Sequence, residues 1–254
     1  MKVGKIIRVT LVSLLTTALA AYVVYSAFFL SEPDENEMCN SVEIIVESSD
    51  TESAFVDKPE LETILKEAHI YPKGMLMKNV STKRIEDLIR TKEYIFKVDC
   101  YKAANGKVCI KVEQRIPIIY VLPDGKEGFF VDAQGHVIHN RGYVSNLVVA
   151  SGDVDEAYAS KELVEMAKFL QTDEFWNDQI EQIYVSRGRK RDRVIEIIPR
   201  VGDHVVYLGT INNFEKKLHN LRIFYNKAMS TVGWNKYAKV NLEYENQIIC
   251  TKRK

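Results

Sequence analysis

The 254-residue chain carries 35 basic and 35 acidic side chains, so its formal net charge is zero. That balance excludes a dedicated nucleic-acid binder, which needs an excess of Lys and Arg facing phosphate. A composition 46% hydrophobic and 28% charged excludes a disordered polymer.

In chain order the first feature is apolar. Between Ile6 and Leu30 only Arg8 is charged. At 1.5 Å per residue, a helix over 9–30 is long enough to cross a hydrocarbon core of about 30 Å and satisfies its own backbone hydrogen bonds there. Lys2, Lys5 and Arg8 precede it, while Glu32, Asp34, Glu35 and Glu37 follow. The basic flank therefore stays in the cytoplasm, giving a cytoplasmic tail at 1–8, a transmembrane helix at 9–30 and everything later outside. Ala18-Leu19-Ala20 resembles a signal-peptide cleavage pattern. The apolar run nevertheless continues through Tyr22, Val23, Val24, Tyr25, Phe28, Phe29 and Leu30, overshooting the about 7–15 residues of a cleavable h-region. An uncleaved anchor is the expectation.

Residues 31–40, acidic and containing Pro33, read as a linker. SVEIIVE at 41–47 is a first strand. Asp57 caps a helix with Pro59 in its first turn, and Leu61, Ile64, Leu65 and Ala68 recur at helical spacing. Pro72 and Gly74 end it. Ser81 caps a second helix with Ile85, Leu88 and Ile89 on one face and Arg90 in the last turn. A strand at 94–101 leads to Asn105-Gly106, the strongest short hairpin signal because both residues accept positive φ. Val108, Ile110 and Val112 then alternate with Lys107, Lys111 and Glu113. The order over 41–116 is β-α-α-β-β.

After Pro117 the pattern changes. Short strands are expected at 118–122, 128–132 and 136–139, with turns at Pro123-Asp124-Gly125 and Gln134-Gly135. A helix from about Ser160 to Gln171 presents Leu163, Met166, Ala167 and Leu170. Strands at 180–185 and 193–198 form a hairpin across Arg187-Gly188-Arg189-Lys190-Arg191; outside a membrane this basic tip is foremost a solvated loop. A strand at 205–208, a long helix at 213–229, and strands at 238–244 and 247–251 complete 117–254. No repeat is visible.

Chemistry is hard to find. His69, His136, His139, His204 and His219 lie near no GxSxG or Cys-centred nucleophile signature. His136 and His139 sit on opposite faces of a strand, too far apart in direction to share a metal. Asp153, Asp155 and Glu156 lack the Gly and terminal Glu of a calcium loop and read as a solvated cluster. Cys39, Cys100, Cys109 and Cys250 show no CxxC spacing; Cys100 and Cys109 flank the hairpin, with two unpaired thiols the expected state. No phosphate-binding Gly loop is present. No catalytic residue, metal site or cofactor is expected.

Several segments together resemble the FtsQ/DivIB family of bacterial cell-division proteins. Val112-Glu113-Gln114-Arg115-Ile116-Pro117-Ile118 looks like the exit from that family's POTRA domain. Phe130-Val131-Asp132-Ala133-Gln134-Gly135-His136-Val137-Ile138 is similar to the "VDxxGxxF" hairpin opening its β domain. The stretch 147–152 resembles "LPxLxG" without the proline. Val206-Tyr207-Leu208-Gly209 followed by a helix matches a strand-Gly-helix unit, and Val240-Asn241-Leu242-Glu243-Tyr244 is similar to "VDLRY", with Glu243 where many members carry Arg. The Trp-Pro pair often found ahead of the POTRA hairpin is absent.

The resemblance implies an α+β protein: a transmembrane helix, a POTRA domain at 41–116 and a mixed α/β "β domain" at 117–254 with a mostly antiparallel sheet. It implies a non-enzymatic, single-pass inner-membrane scaffold at the division septum, its C-terminal domains periplasmic, binding FtsB- and FtsL-type proteins. An edge strand would offer its free backbone groups to a partner strand. The residues expected to do so are Lys239, Val240, Asn241, Leu242, Glu243, Tyr244, Glu245, Gln247 and Ile249, with Val240, Leu242 and Tyr244 on one face and Asn241, Glu243 and Glu245 on the other. The rival function is that of a POTRA-bearing envelope-biogenesis or secretion factor, but such proteins usually repeat the domain, and no second β-α-α-β-β copy appears.

Overall fold

The computed structural model describes residues 2–29, 35–47, 56–139, 146–188, 192–244 and 247–254, and in the first helix the side chains of 10–25. That helix, α1 (Lys2–Phe29), is continuous. Among the described residues no helix is long and apolar enough to cross a membrane. The portion with described side chains covers about 24 Å at 1.5 Å per residue, short of the ~30 Å hydrocarbon core, so the span expected at 9–30 is not met within it.

The chain otherwise divides into two compact units, one ending at Gln114 and one beginning its described part at Arg115. In the first, β1 (Ser41–Glu47), α2 (Lys58–Glu67), α3 (Thr82–Arg90), β2 (Ile95–Ala103) and β3 (Lys107–Gln114) follow the expected order, with a 3-10 turn at Met77–Asn79. β3 lies between β1, to which it is parallel, and β2, to which it is antiparallel. The caps are those the sequence announces: Asp57 accepts from Glu60 N at 2.8 Å and Ser81 from Arg84 N at 3.4 Å, each answering a helix N-terminal N–H with no partner of its own. Leu61, Leu65, Ile85 and Ile89 bury the inner helix faces, each contributing about 1.5–3 kcal/mol. Asn105 and Gly106 take φ of 61° and 64°. A Cβ on Gly106 would meet Met38 O at 2.5 Å, so this turn requires glycine for space as well as conformation. Cys100 and Cys109 pair with Ile110 and Tyr101 respectively across the hairpin, which sends them to opposite faces of the sheet; both thiols are free. The outer edge of β2 is guarded, because Glu86 of α3 accepts from Cys100 N at 2.8 Å.

The second unit is a nine-stranded sheet in the order β12-β11-β10-β9-β8-β7-β4-β5-β6. Its strands are β4 (Pro117–Pro123), β5 (Phe129–Asp132), β6 (Val137–His139), β7 (Val148–Gly152), β8 (Ile180–Arg187), β9 (Arg193–Pro199), β10 (Val205–Gly209), β11 (Tyr237–Asn241) and β12 (Ile249–Lys252). Five neighbouring pairs are antiparallel, and β4–β7, β7–β8 and β10–β11 are parallel. Parallel neighbours need crossovers. The β7–β8 connection runs through α4 (Glu156–Tyr158), a π-helical turn at Ala159–Leu163, α5 (Val164–Thr172) and α6 (Glu174–Gln179). The β10–β11 connection runs through α7 (Phe214–Phe224), a second π-helical turn at Tyr225–Met229 and α8 (Ser230–Val232). Both pack into one apolar core with the sheet, including Leu163, Met166, Trp176, Leu218, Leu221 and Val240.

The expected helix start and the reading of the acidic cluster change here. The first crossover starts at Glu156, not near Ser160, because Asp155 accepts from Tyr158 N at 2.8 Å as its N-cap; the acidic cluster is a helix start. Asp153 and Asp155 also pair with Arg187 and Arg193, so the described ends of the basic hairpin are neutralised; Arg189, Lys190 and Arg191 lie outside the described residues. The stretch resembling "LPxLxG" contributes β7, an interior strand between β4 and β8.

Asp132 organises the turn after β5. It is 1% exposed, with Oδ1 accepting from Gln134 N and His136 N and Oδ2 accepting from Arg115 Nη1 at 2.7 Å. Gly135 holds φ at 82°, and a Cβ there would sit 2.5 Å from Ser160 O. These contacts explain the Asp-x-x-Gly pattern: a carboxylate replaces the turn's missing backbone acceptors while glycine lets a helix approach. His136 lies beside Asp132 and His139 beside Glu156, so the two histidines serve different neighbours.

Candidate partner-binding edge

The C-terminal corner of the second unit is built on β10. Gly209, at φ 75°, turns the chain into α7, whose Lys217 is nearly buried and donates to Thr210 O at 2.8 Å. α7 returns the chain to β11, parallel to β10, with Val206 paired to Val240. Leu242 N donates to Tyr207 O at 2.8 Å. In a parallel ladder this assigns the backbone groups of Val240 and Leu242 to β10 and leaves those of Lys239 and Asn241 for the other side. There they meet Thr251 and Ile249 of β12.

β11 is therefore paired on both sides. Lys239, Val240 and Asn241 are interior ladder residues, Val240 is fully buried and Leu242 is 2% exposed. This corrects the expectation that the strand around Val240–Asn241 is the free edge; its apolar alternation faces core. Lys239 is held on the sheet surface by Glu196 at 2.6 Å and by the Tyr207 ring at 4.5 Å. Glu243 and Tyr244 are exposed beyond the strand, Gln247 is exposed ahead of β12, and Glu245 falls outside the described residues. Of the expected residues only Ile249 lies on the terminal strand, and its side chain is 46% exposed. Lys2, Lys5 and Arg8 lie in α1, where their side chains fall outside the description.

The free edge is β12. Since Ile249 and Thr251 face β11, the backbone groups of Cys250 and Lys252 point outward, and no described strand lies beyond them. Sequence reasoning passed over Cys250, Thr251 and Lys252. The only signal was the short apolar run Ile248-Ile249-Cys250 after a polar turn, which fits an edge and an interior strand equally.

β12 is fixed at its far end. Arg253 N donates to Lys236 O at 3.0 Å, and its guanidinium donates to Asp203 O at 2.7 Å. Next to Asp203, His204 is 1% exposed, with Nε2 2.7 Å from Tyr225 Oη. Burial, reinforced by Arg253, holds the His204 pKa below its ordinary value despite the opposing Asp203. The unfolded chain then binds this proton more readily than the folded one. Stability is retained above about pH 6.5 and declines as pH falls below it. Thermal melts of wild type should thus lose more between pH 7.5 and 5.5 than melts of His204→Gln, which does not titrate; parallel losses would show that His204 does not set this slope.

Among the described residues no group of His, Cys, Asp and Glu could hold a metal ion. Comparison with protein families gives two matches that tile the two units: a POTRA-like domain over 37–113 and an "FtsQ/DivIB, C-terminal related" domain over 116–251, the latter more than half of the chain. The chain belongs to the FtsQ/DivIB family. Compared with curated proteins it finds no match. The FtsQ/DivIB membership makes this a division-protein architecture of a POTRA-like domain followed by the family's C-terminal domain, and the family is one of non-enzymatic scaffolds.

Proposed function

We propose that the chain is a single-pass inner-membrane scaffold of the bacterial division machinery, which recruits FtsB- and FtsL-type partners to the septum by adding a partner strand to β12. The observation that carries this is the outer side of β12, beyond which no described strand lies, within an FtsQ/DivIB-type domain. A sheet edge offers main-chain hydrogen bonds to any extended segment, and side chains flanking it select which one. No enzymatic step belongs to this function.

The membrane part rests on sequence and on α1. Residues 9–29 of the uncharged run lie within a helix that continues from Lys2 to Phe29, about 42 Å at 1.5 Å per residue. Its described large apolar side chains, Leu11, Val12, Leu14, Leu15, Leu19, Tyr22, Val23, Val24 and Tyr25, are each more than half exposed, as suits a helix whose solvent is lipid. The basic residues Lys2, Lys5 and Arg8 orient the N-terminus to the cytoplasm and both folded units to the periplasm.

A fluorescent protein fused ahead of Met1 tests these points together. The signal should outline the envelope and concentrate at the division plane, and depletion should give filaments. A diffuse signal would overturn the anchor. Envelope leakage from cells of normal length would replace the division role with envelope biogenesis or secretion.

A further inference from the structure

Strands β7, β8 and β10 end on the same side of the sheet, since β7 and β8 are parallel and β9 runs against both β8 and β10. Both helical crossovers leave from these ends, α4 after β7 and α7 after β10. Between their starts lies a cavity of about 520 Å³, within the roughly 300–1,000 Å³ that encloses a small ligand. In open α/β sheets such ligands bind outside the carboxyl ends of the strands. Tyr158 and Glu162 form the wall on the first crossover and Thr210 and Ile211 the wall on the second. Arg187, Asp192 and Arg193 of the β8–β9 hairpin complete it.

Tyr158 is 4% exposed, and its buried Oη has no hydrogen-bond partner among the described residues. A buried hydroxyl left this way costs free energy, which a bound acceptor relieves. Burial, reinforced by Glu162, pushes the Tyr158 pKa up to about 12, so the hydroxyl keeps its proton and donates. The π-helical turn Ala159–Leu163 follows directly and carries Glu162 into the wall; such turns occur mostly at functional sites. The charges of the wall cancel, with Arg187 and Arg193 against Asp192 and Glu162. The two guanidiniums are already paired with Asp153 and Asp155. Each has five N–H groups and so retains donors beyond those pairs. Arg193 is further fixed over the Tyr158 ring, 4.4 Å from its centroid.

We propose that this cavity binds a neutral saccharide. A phosphate or carboxylate finds no surplus of positive charge there, and an apolar ligand finds too few apolar groups. A sugar hydroxyl both donates and accepts, and the wall answers in kind: Tyr158, Arg187 and Arg193 donate, Glu162 and Asp192 accept, and the Thr210 hydroxyl can do either. Ile211 meets the C–H face of the ring. The assignment is independent of the edge role of β12.

The test titrates the full chain, purified in a detergent without a sugar headgroup, with N-acetylglucosamine and with its disaccharide N,N'-diacetylchitobiose. Ligand-observed NMR and calorimetry read the binding. Saturable binding in the millimolar range is expected, indifferent to added salt because the ligand carries no charge. Tyr158→Phe removes a hydroxyl for which the described residues supply no partner, so this variant should melt at or above the wild-type temperature. Its sugar binding should nevertheless weaken about fivefold, the loss of one hydrogen bond. Glu162→Ala and Asp192→Ala remove exposed acceptors; they should spare the fold and weaken binding to a similar extent. Absence of binding for both sugars, or binding unchanged in all three variants, overturns the proposal. Sulfate binding more tightly than either sugar, and released by high salt, would give the cavity to an anion and overturn it as well. None of these outcomes bears on capture of a division partner by β12, so the two readings fail separately.

Discussion

Replacing Asp132 by Ala should destabilise the second unit by about 3–5 kcal/mol, the usual cost of removing one partner of a buried ion pair. The substitution leaves Arg115, only 14% exposed, without its carboxylate, and frees the Gln134 and His136 N–H groups as well. For a unit of this size the melting temperature should fall on the order of 10 °C. Asp132→Asn keeps an oxygen for the two backbone donors and should lose less. A change within about 1 kcal/mol for Asp132→Ala, the ordinary range of surface substitutions, would mean that the turn closes without its carboxylate.

The second large effect concerns binding. Cys250→Pro and Lys252→Pro each remove an outward N–H from β12 while sparing the bonds of Ile249 and Thr251 to β11. Proline is tolerated on an edge strand when its missing donor faces solvent, so both variants should melt close to wild type. Capture of an FtsB-type partner should drop at least about tenfold, from the lost ladder bond and the steric block of the ring. Leu242→Pro is a poor probe of the same idea: its N–H already serves Tyr207 and its side chain is buried, so it would damage the corner itself. Wild-type capture by both edge variants, with the fold intact, would remove β12 from the interface.

How much of this was legible in the sequence depends on the range over which each signal acts. Asp57, Ser81 and Asn105-Gly106 act within four residues, and all three do what their chemistry dictates. The turn at Asp132 was recognisable as a motif, though its tie to Arg115 was not. β7 escaped because a short strand between two parallel neighbours shows little alternation. Asp155 escaped because a cap and a solvated acid look alike when a π-helical turn at Ala159–Leu163 interrupts the helical period that would identify the cap. The sheet edge was misplaced by one strand for a related reason. Val240 and Leu242 alternate as edge or interior residues alike, and only pairing partners distinguish the two.

The parallel contact between β1 and β3 has a kinetic consequence. The β2–β3 hairpin closes across three residues, whereas the contact between Glu43 and Cys109 spans 66. Chain entropy favours the short closure, so β1 docks onto a hairpin that already exists. Until it does, one side of β3 stays unsatisfied, while Glu86 already occupies an outward N–H of β2. During assembly the vulnerable flank of this unit is the one awaiting β1, and a chaperone met early would find its target there.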